Sequence, residues 1–246
     1  MTHKRSILII NPNSTQSMTK ALEPLVNELG FKDTAYTFFT APSGPTSINN
    51  EDDAAESAEH CLPHLRPLLD RHDGFLVACY SQHPLVPQLK NEPVVKDGRK
   101  PVTGIFEASV ATSLQLIAPK TAFGIVSTGK VWEDILPAAV VEHLGTGENG
   151  SKRFAGVETT GLNATELHDT SLEEVRKRMK DAVKRLLGQA EVGAICLGCA
   201  GMAGMNEMVR EACVEELGKD EGGRVGIVDG VQAGVAWLEG AIRTSF

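Results

Sequence analysis

The residues of this chain best suited to chemistry are its five cysteines, Cys61, Cys79, Cys196, Cys199 and Cys213. Cys196 and Cys199 stand in "AICLGCAGM" at the C-x-x-C spacing of a dithiol redox pair or half of a zinc site. Both of those readings lack support elsewhere. A redox pair opens a helix with its first cysteine just past a strand, whereas Cys196 lies inside the apolar run Val192–Leu197. A zinc site needs further ligands at suitable spacing, and no second C-x-x-C or H-x3-H is present, so no metal is expected. Cys196 reads as a packed thiol, a small hydrophobe with a raised pKa, and Cys61 and Cys213, beside Leu62 and Val214, read the same way. Cys199 differs, since Gly198 and Gly201 flank it and Ala200 adds no bulk, an arrangement that lets backbone approach a ligand. A helix beginning at Ala200 would aim its first N–H groups at the thiol and favour the thiolate. Cys79 likewise ends an apolar run, Gly74–Ala78, and precedes Tyr80-Ser81-Gln82-His83. A buried inert thiol is the bland alternative at either position.

The elements that must position these thiols follow from the hydropathy pattern. Four unbroken apolar runs end in small or turn-forming residues: Ser6–Ile10, Gly74–Ala78, Ala122–Val126 and Val192–Leu197. Such runs suit parallel strands covered on both faces, and Pro101–Ile105 and Arg224–Val228 are shorter candidates. Helical periodicity links them. Residues 17–29 carry Met18, Leu22, Leu25, Val26 and Leu29 on one stripe, with Ser14 or Thr15 as N-cap, and Ser171-Leu-Glu-Glu is a capping box for residues 171–187. Residues 145–151 mark an exposed loop. The alternation predicts an α/β fold of βαβ units. The runs also fall into two similar halves. Cys79 follows the turn at Asn13 by 66 positions, and Cys199 follows the turn at Ser127 by 72. Ligands of open α/β sheets bind beyond the strand carboxyl ends, so two facing halves would bring Cys79 and Cys199 to one cleft. The expectation is therefore two pseudo-symmetric Rossmann-like lobes with parallel sheets, residues 1–98 plus 220–246 and residues 99–219, with the active site in the inter-lobe cleft.

Five segments together resemble the hydantoin and allantoin racemase branch of the aspartate/glutamate/hydantoin racemase superfamily, in the form of its fungal members. They are "INPNST" at 10–15, "SGPTSI" at 43–48, "DGFLVACYS" at 73–81, "GIFEA" at 104–108 and "LGCAGM" at 197–202. Gln82 departs from the aspartate usual in the fungal pattern, which puts a substrate contact or a pKa influence there in doubt. The resemblance implies a cofactor-independent racemase of 5-substituted hydantoins or allantoin, with Cys79 and Cys199 as the acid and base on opposite faces of the carbon α to a carbonyl. A thiol of pKa ~8.5 needs only a modest downward shift for that role. Donors for the enolate would come from the turns at Asn13-Ser14 and Ser127-Thr128 and from backbone near Tyr80, Ser81, Gly198, Ala200 and Gly201, although Asn13 and Thr128 read equally well as helix caps. Pro12, Thr46 and Ile48 match the family's pocket walls. Glu107 either orients a ligand or favours a helix's first turn, and His83 either pairs with a Cys79 thiolate or is structural. Two alternatives keep the scaffold: a related cysteine-dependent isomerase or decarboxylase, and a non-catalytic ureide-binding protein.

Composition bounds the rest. In 246 residues, 41% hydrophobic and 23% charged, with net charge −8, there is core enough for a large domain or two small ones. The acidic balance argues against nucleic acid and anionic membrane as partners. No apolar run approaches the ~18 residues of a membrane span, and the amino-terminal residues lack the apolar core of a secretory signal. With sparse, odd-numbered cysteines, the expectation is a cytoplasmic protein with free thiols, a small-molecule partner and no barrier to homo-oligomer formation.

Overall fold

The computed structural model describes residues 4–147 and 150–244; of the expected 145–151 loop, residues 148 and 149 lie outside them. The chain divides into two compact units, residues 1–108 with 231–246, and residues 109–230. Each unit holds one four-stranded sheet, and every strand pairing in both is parallel.

In the first unit the strands are β1 (Arg5–Asn11), β2 (Thr34–Thr40), β3 (Gly74–Val77) and β4 (Val102–Gly104), in the order β2-β1-β3-β4. In the second they are β5 (Ala122–Ser127), β6 (Phe154–Thr159), β7 (Val192–Leu197) and β8 (Gly226–Asp229), in the order β6-β5-β7-β8. The orders are the same once the second set is renumbered from its own first strand, which makes the two halves topological repeats. All four apolar runs are strands, and their side chains are buried throughout Ile7–Ile10, Phe75–Val77 and Ala122–Ser127. The pattern did not reveal β2 and β6. They are edge strands, half-exposed and rich in threonine or charge (TAYTFFT and FAGVET), so neither presents an unbroken apolar run.

Helices α1 (Gln16–Glu28) and α2 (Glu51–Leu65) lie between β1 and β3 in sequence; α3 (Leu85–Asn91) and α4 (Pro93–Asp97) precede β4, and α5 (Ile105–Leu116) follows it. After β5 come α6 (Trp132–Leu144), α7 (Glu166–Asp169) and α8 (Leu172–Leu187), then α9 (Asn206–Leu217), α10 (Lys219–Arg224) and α11 (Gly230–Thr244). α8 starts with half of its expected capping box, the Ser171 hydroxyl accepting from the Glu174 amide while the Glu174 carboxylate pairs with Arg178, and it buries Val175, Met179, Val183 and Leu186.

The units divide about ten residues later than the expected lobes at both crossings. β4 is hydrogen-bonded to β3 and so belongs to the first unit, while β8 pairs with β7 and belongs to the second. α11 then returns the chain to the first unit, where its buried Glu239 accepts from Thr34 Oγ1 at 3.1 Å, from the Tyr36 hydroxyl, and from Arg243 at 2.8 Å. Arg243 also pairs with exposed Asp33 at 2.8 Å, whose carboxyl it holds well below its usual range, at about 2. Removing Arg243 would leave a buried carboxylate without its cation. Arg243→Ala is expected to lower stability, read as a lower urea midpoint that Arg243→Lys partly restores.

Candidate functional site

In a parallel sheet every strand ends on the same edge, and the candidate residues gather there in each unit. β1 ends at buried Asn11, whose side chain organises the turn beyond it. Its Nδ2 donates to Asn13 Oδ1 at 2.9 Å and Thr19 Oγ1 at 3.0 Å, and its Oδ1 accepts from the Asn13 amide at 3.2 Å. Asn13 Oδ1 in turn accepts from the Thr15 amide at 3.0 Å, an Asx turn that leads the chain into α1. Thr15 occupies the N-cap position of α1 but makes no side-chain cap. Its hydroxyl donates instead to Thr46 O at 2.7 Å, and Ser14 Oγ donates to Gly44 O and Pro45 O at 3.1 and 3.2 Å. These two hydroxyls staple the Gly44–Thr46 loop to the turn, so Ser14 is a positioning group rather than a free donor to substrate. Pro12 is buried and its carbonyl accepts from the Cys61 thiol at 3.5 Å.

Cys79 emerges two residues past β3, beside this turn, because Ala78 N–H donates to Ile10 O at 2.8 Å and extends the pairing beyond the strand. Its side chain is half-buried, and its sulfur lies 3.6 Å from Ser81 Oγ. The Tyr80 ring is buried edge-on against Phe106, with centroids 5.7 Å apart. Gln82 is exposed. His83 does not serve Cys79. It is fully buried, its Nδ1 accepts from the Leu85 amide at 3.2 Å, and its Nε2 lies 2.9 Å from Ser57 Oγ. An accepting Nδ1 places the proton on Nε2, so the imidazole is neutral and both nitrogens are used inside the unit. Burial pushes its pKa down to about 4.

Glu107 lies in the first turn of α5, as the structural alternative had it. Its Oε2 is buried without a hydrogen-bond partner among the described residues and sits tightly against Gly104, where a Cβ would approach within 2.3 Å. Burial raises its carboxyl above the usual range, opposed in part by the Glu107 and Gly104 amides and by Lys90.

The second unit repeats the plan with different chemistry. Ser127 ends β5, and its buried hydroxyl donates to Gly198 O at 2.7 Å, so it holds the loop rather than a ligand. Thr128 is buried, and its carbonyl accepts from the Gly161 amide at 2.9 Å; it caps no helix, because α6 begins only at Trp132. Gly198 packs closely against β5. A Cβ there would lie 2.7 Å from Ile125 Cγ2, 2.8 Å from Ser127 Cβ and 2.9 Å from Val126 O. Glycine is required so that the loop can close onto β5. The closure fixes Cys199 two residues past β7, half-buried, in extended backbone (φ −162°) ahead of the short 3-10 turn Ala200–Met202. The Gly201 amide donates to its sulfur at 3.3 Å. Burial nevertheless dominates and pushes the thiol up to about 11, with the Gly201 and Met202 amides opposing it. The expected thiolate-favouring turn is present, then, and is outweighed.

Cys196 is no partner for Cys199. It is fully buried in β7, with its sulfur 3.1 Å from Ser113 Oγ on α5. Cys61 and Cys213 are buried, pushed up to about 12 and about 11 by burial. All five cysteines are free, and among the described residues no cluster of metal-ligating side chains occurs. Sequence reasoning passed over Asn11, and also Asp229, a buried carboxylate ending β8 that accepts from the Gly204 amide at 3.2 Å. The available signal was a polar residue closing an apolar run.

Two outcomes test this geometry. Gly198→Ala is expected to cost about 1–3 kcal/mol through overpacking against β5 and to change the alkylation rate of Cys199 while leaving that of Cys79 unchanged, as read by mass spectrometry. For His83, the depressed folded pKa means that stability is complete above the unfolded value of ~6.5. It is lost as pH falls toward about 4. The stability of the native chain is expected to fall in that window by up to ~1.4 kcal/mol per pH unit for this one proton, with buried His72, also lowered, acting in the same sense. His83→Gln should flatten the slope by about one proton.

Comparison with known proteins agrees with this plan. A family profile described as Asp/Glu/hydantoin racemase matches residues 7–238. A hydantoin racemase of Pseudomonas sp. (strain NS671) is 30% identical over 239 residues, covering 95% of this chain and 84% of that one. An uncharacterised protein of Schizosaccharomyces pombe is 32% identical over 238 residues, covering 96% and 92%. The solved structure of an allantoin racemase from Klebsiella pneumoniae superposes with a TM-score of 0.74 at 26% identity, covering 98% of this chain and 89% of that one. The chain belongs to the Asp/Glu/hydantoin racemase family, in its hydantoin and allantoin branch, and is an isomerase.

Proposed function

We propose that this member of the Asp/Glu/hydantoin racemase family racemises a 5-substituted hydantoin or allantoin at the ring carbon next to the carbonyl, with Cys79 and Cys199 as its two proton-transfer groups. The observation that carries the reading is positional. Each thiol lies two residues beyond the third strand of its own four-stranded sheet, next to the central strand, and the two sheets share one strand order. A buried structural thiol has no reason to recur at that edge in both halves; Cys61, Cys196 and Cys213 do not.

Racemisation needs one group to take the proton from one face of a planar carbon and another to deliver a proton to the opposite face. The balance is internal: one thiolate becomes a thiol, one thiol becomes a thiolate, and no electrons are exchanged with a redox partner, so the reaction as proposed requires no cofactor. Burial keeps Cys199 protonated in the resting protein, since its pKa is pushed up to about 11. One enantiomer is taken with Cys79 as base and Cys199 as acid, and the opposite enantiomer is taken when the roles are exchanged. The Gly201 amide, 3.3 Å from the Cys199 sulfur, supplies the charge stabilisation that exchange requires. With Ser14 and Ser127 hydroxyls committed to backbone carbonyls, the donors for the enolate are backbone amides after the cysteines, near Tyr80, Ser81 and Ala200. Pro12, Thr46 and Ile48 are assigned to the pocket wall on the first unit.

The test is racemisation of (R)- and (S)-allantoin and of 5-benzylhydantoin in deuterated water without added cofactor. Loss of optical activity is expected, with deuterium appearing at the ring carbon. Cys79→Ser and Cys199→Ser should each slow racemisation by about a thousandfold. Full activity in either variant contradicts the two-thiol mechanism, and saturable binding without exchange would make the protein a ureide carrier instead.

A further inference from the structure

We infer a second ligand site on the first unit, a basic hollow with an aromatic wall that fits a small nucleoside phosphate, and the inference is independent of the racemase reading. The hollow has a volume of about 340 Å³, within the range of small-molecule sites. Lys90 on α3, Lys96 on α4, and Arg99 and Lys100 on the link to β4 line it, and no acidic side chain does. In a chain of net charge −8 this is a local reversal of sign. Lys100 is committed to Leu69 O at 2.6 Å. Lys90, Lys96 and Arg99 form no ion pair with any described residue; of the two acidic neighbours, Glu92 is taken by Arg66 at 3.0 Å and Asp97 does not line the hollow.

The floor is apolar, built from Val95 and Val102, and one wall is Trp237 on α11. Trp237 is 44% exposed, whereas the other tryptophan, Trp132, is 5% exposed. An indole face beside several cations suits a ligand that joins a planar ring to an anionic group. The ring stacks on Trp237, and the anion takes the guanidinium and ammonium donors.

The backbone supplies an independent observation. α4 closes with the Lys100 amide donating to Val95 O at 2.9 Å and the Arg99 amide donating to Lys96 O at 3.2 Å, the bond pair of a Schellman motif. That motif places its last residue in the left-handed region, where glycine is favoured. Here Arg99 occupies it at φ 49°, the one non-glycine residue with positive φ among those described, although Gly98 stands next to it in ordinary helical conformation. The fold tolerates strain at the position whose side chain lines the hollow, as strained residues do where a side chain has a task beyond folding.

The probe is adenosine 5′-monophosphate, titrated against the intact protein by tryptophan fluorescence and calorimetry at low salt and again at ~0.15 M ionic strength. Saturable quenching of Trp237 is expected, weakened by salt, with adenosine and inorganic phosphate each binding at least about tenfold more weakly. Arg99→Gly should weaken binding by about tenfold while raising the thermal midpoint by about 3 °C, so its loss of binding is not loss of fold. Trp237→Leu should abolish the quenching and weaken the calorimetric affinity. The site is refuted if the nucleotide gives neither saturable quenching nor heat, if both variants bind as the native chain does, or if phosphate alone binds as tightly.

Discussion

Parallel pairing to a central strand decides where each thiol emerges. In the first unit Ile10 of β1 is opposite Val77 of β3, and in the second Val126 of β5 is opposite Leu197 of β7. Both pairings continue one residue past the strand through a backbone hydrogen bond, the Ala78 amide donating to Ile10 O and the Gly198 amide to Val126 O. The next residue is the cysteine in each case. A register shift of one residue in either sheet would turn that side chain to the opposite face. The buried apolar runs of β1, β3, β5 and β7 hold the register, so core packing and thiol placement are one constraint.

Around that constraint the two units solve the same problem with different side chains. In the first, Asn11 and Asn13 organise the turn after β1, while Ser14 and Thr15 bind the 44–46 loop. In the second, one hydroxyl, Ser127, and the absence of a side chain at Gly198 bring the cysteine loop onto β5. The hydroxyls that look like substrate donors are thus spent on loop closure. The low polarity around Cys199 raises its thiol and keeps it protonated in the resting protein. The same low polarity would strengthen each remaining amide toward a developing enolate.

Much of this was legible in the amino-acid pattern. The four apolar runs identified the inner strands, and the position of Cys196 within one of them separated it from Cys199. Edge strands β2 and β6 were illegible because half-exposed, threonine-bearing segments resemble loops in hydropathy. The lobe boundaries were misplaced because strand partnership is non-local: nothing near Ile227 says that its neighbour is Ile195 rather than a strand of the first unit. The roles of Gly198 and His83 were not legible locally, for a shared reason. A glycine beside a cysteine, or a histidine four residues past one, suggests a ligand, yet what decides their roles is contact with β5 and with Ser57, both distant in sequence.

The central claim is that Cys79 and Cys199 act on opposite faces of one carbon, which requires their sulfurs to stand about 7–8 Å apart with near-attack contacts of ~3–3.5 Å on each side. The most direct measurement treats the native chain with a bifunctional thiol reagent of that span and maps the products by peptide mass spectrometry. The account predicts a bridge between the peptides carrying Cys79 and Cys199, suppressed by saturating hydantoin. Modification of the two cysteines only singly, with no bridged peptide at any reagent concentration, would contradict it.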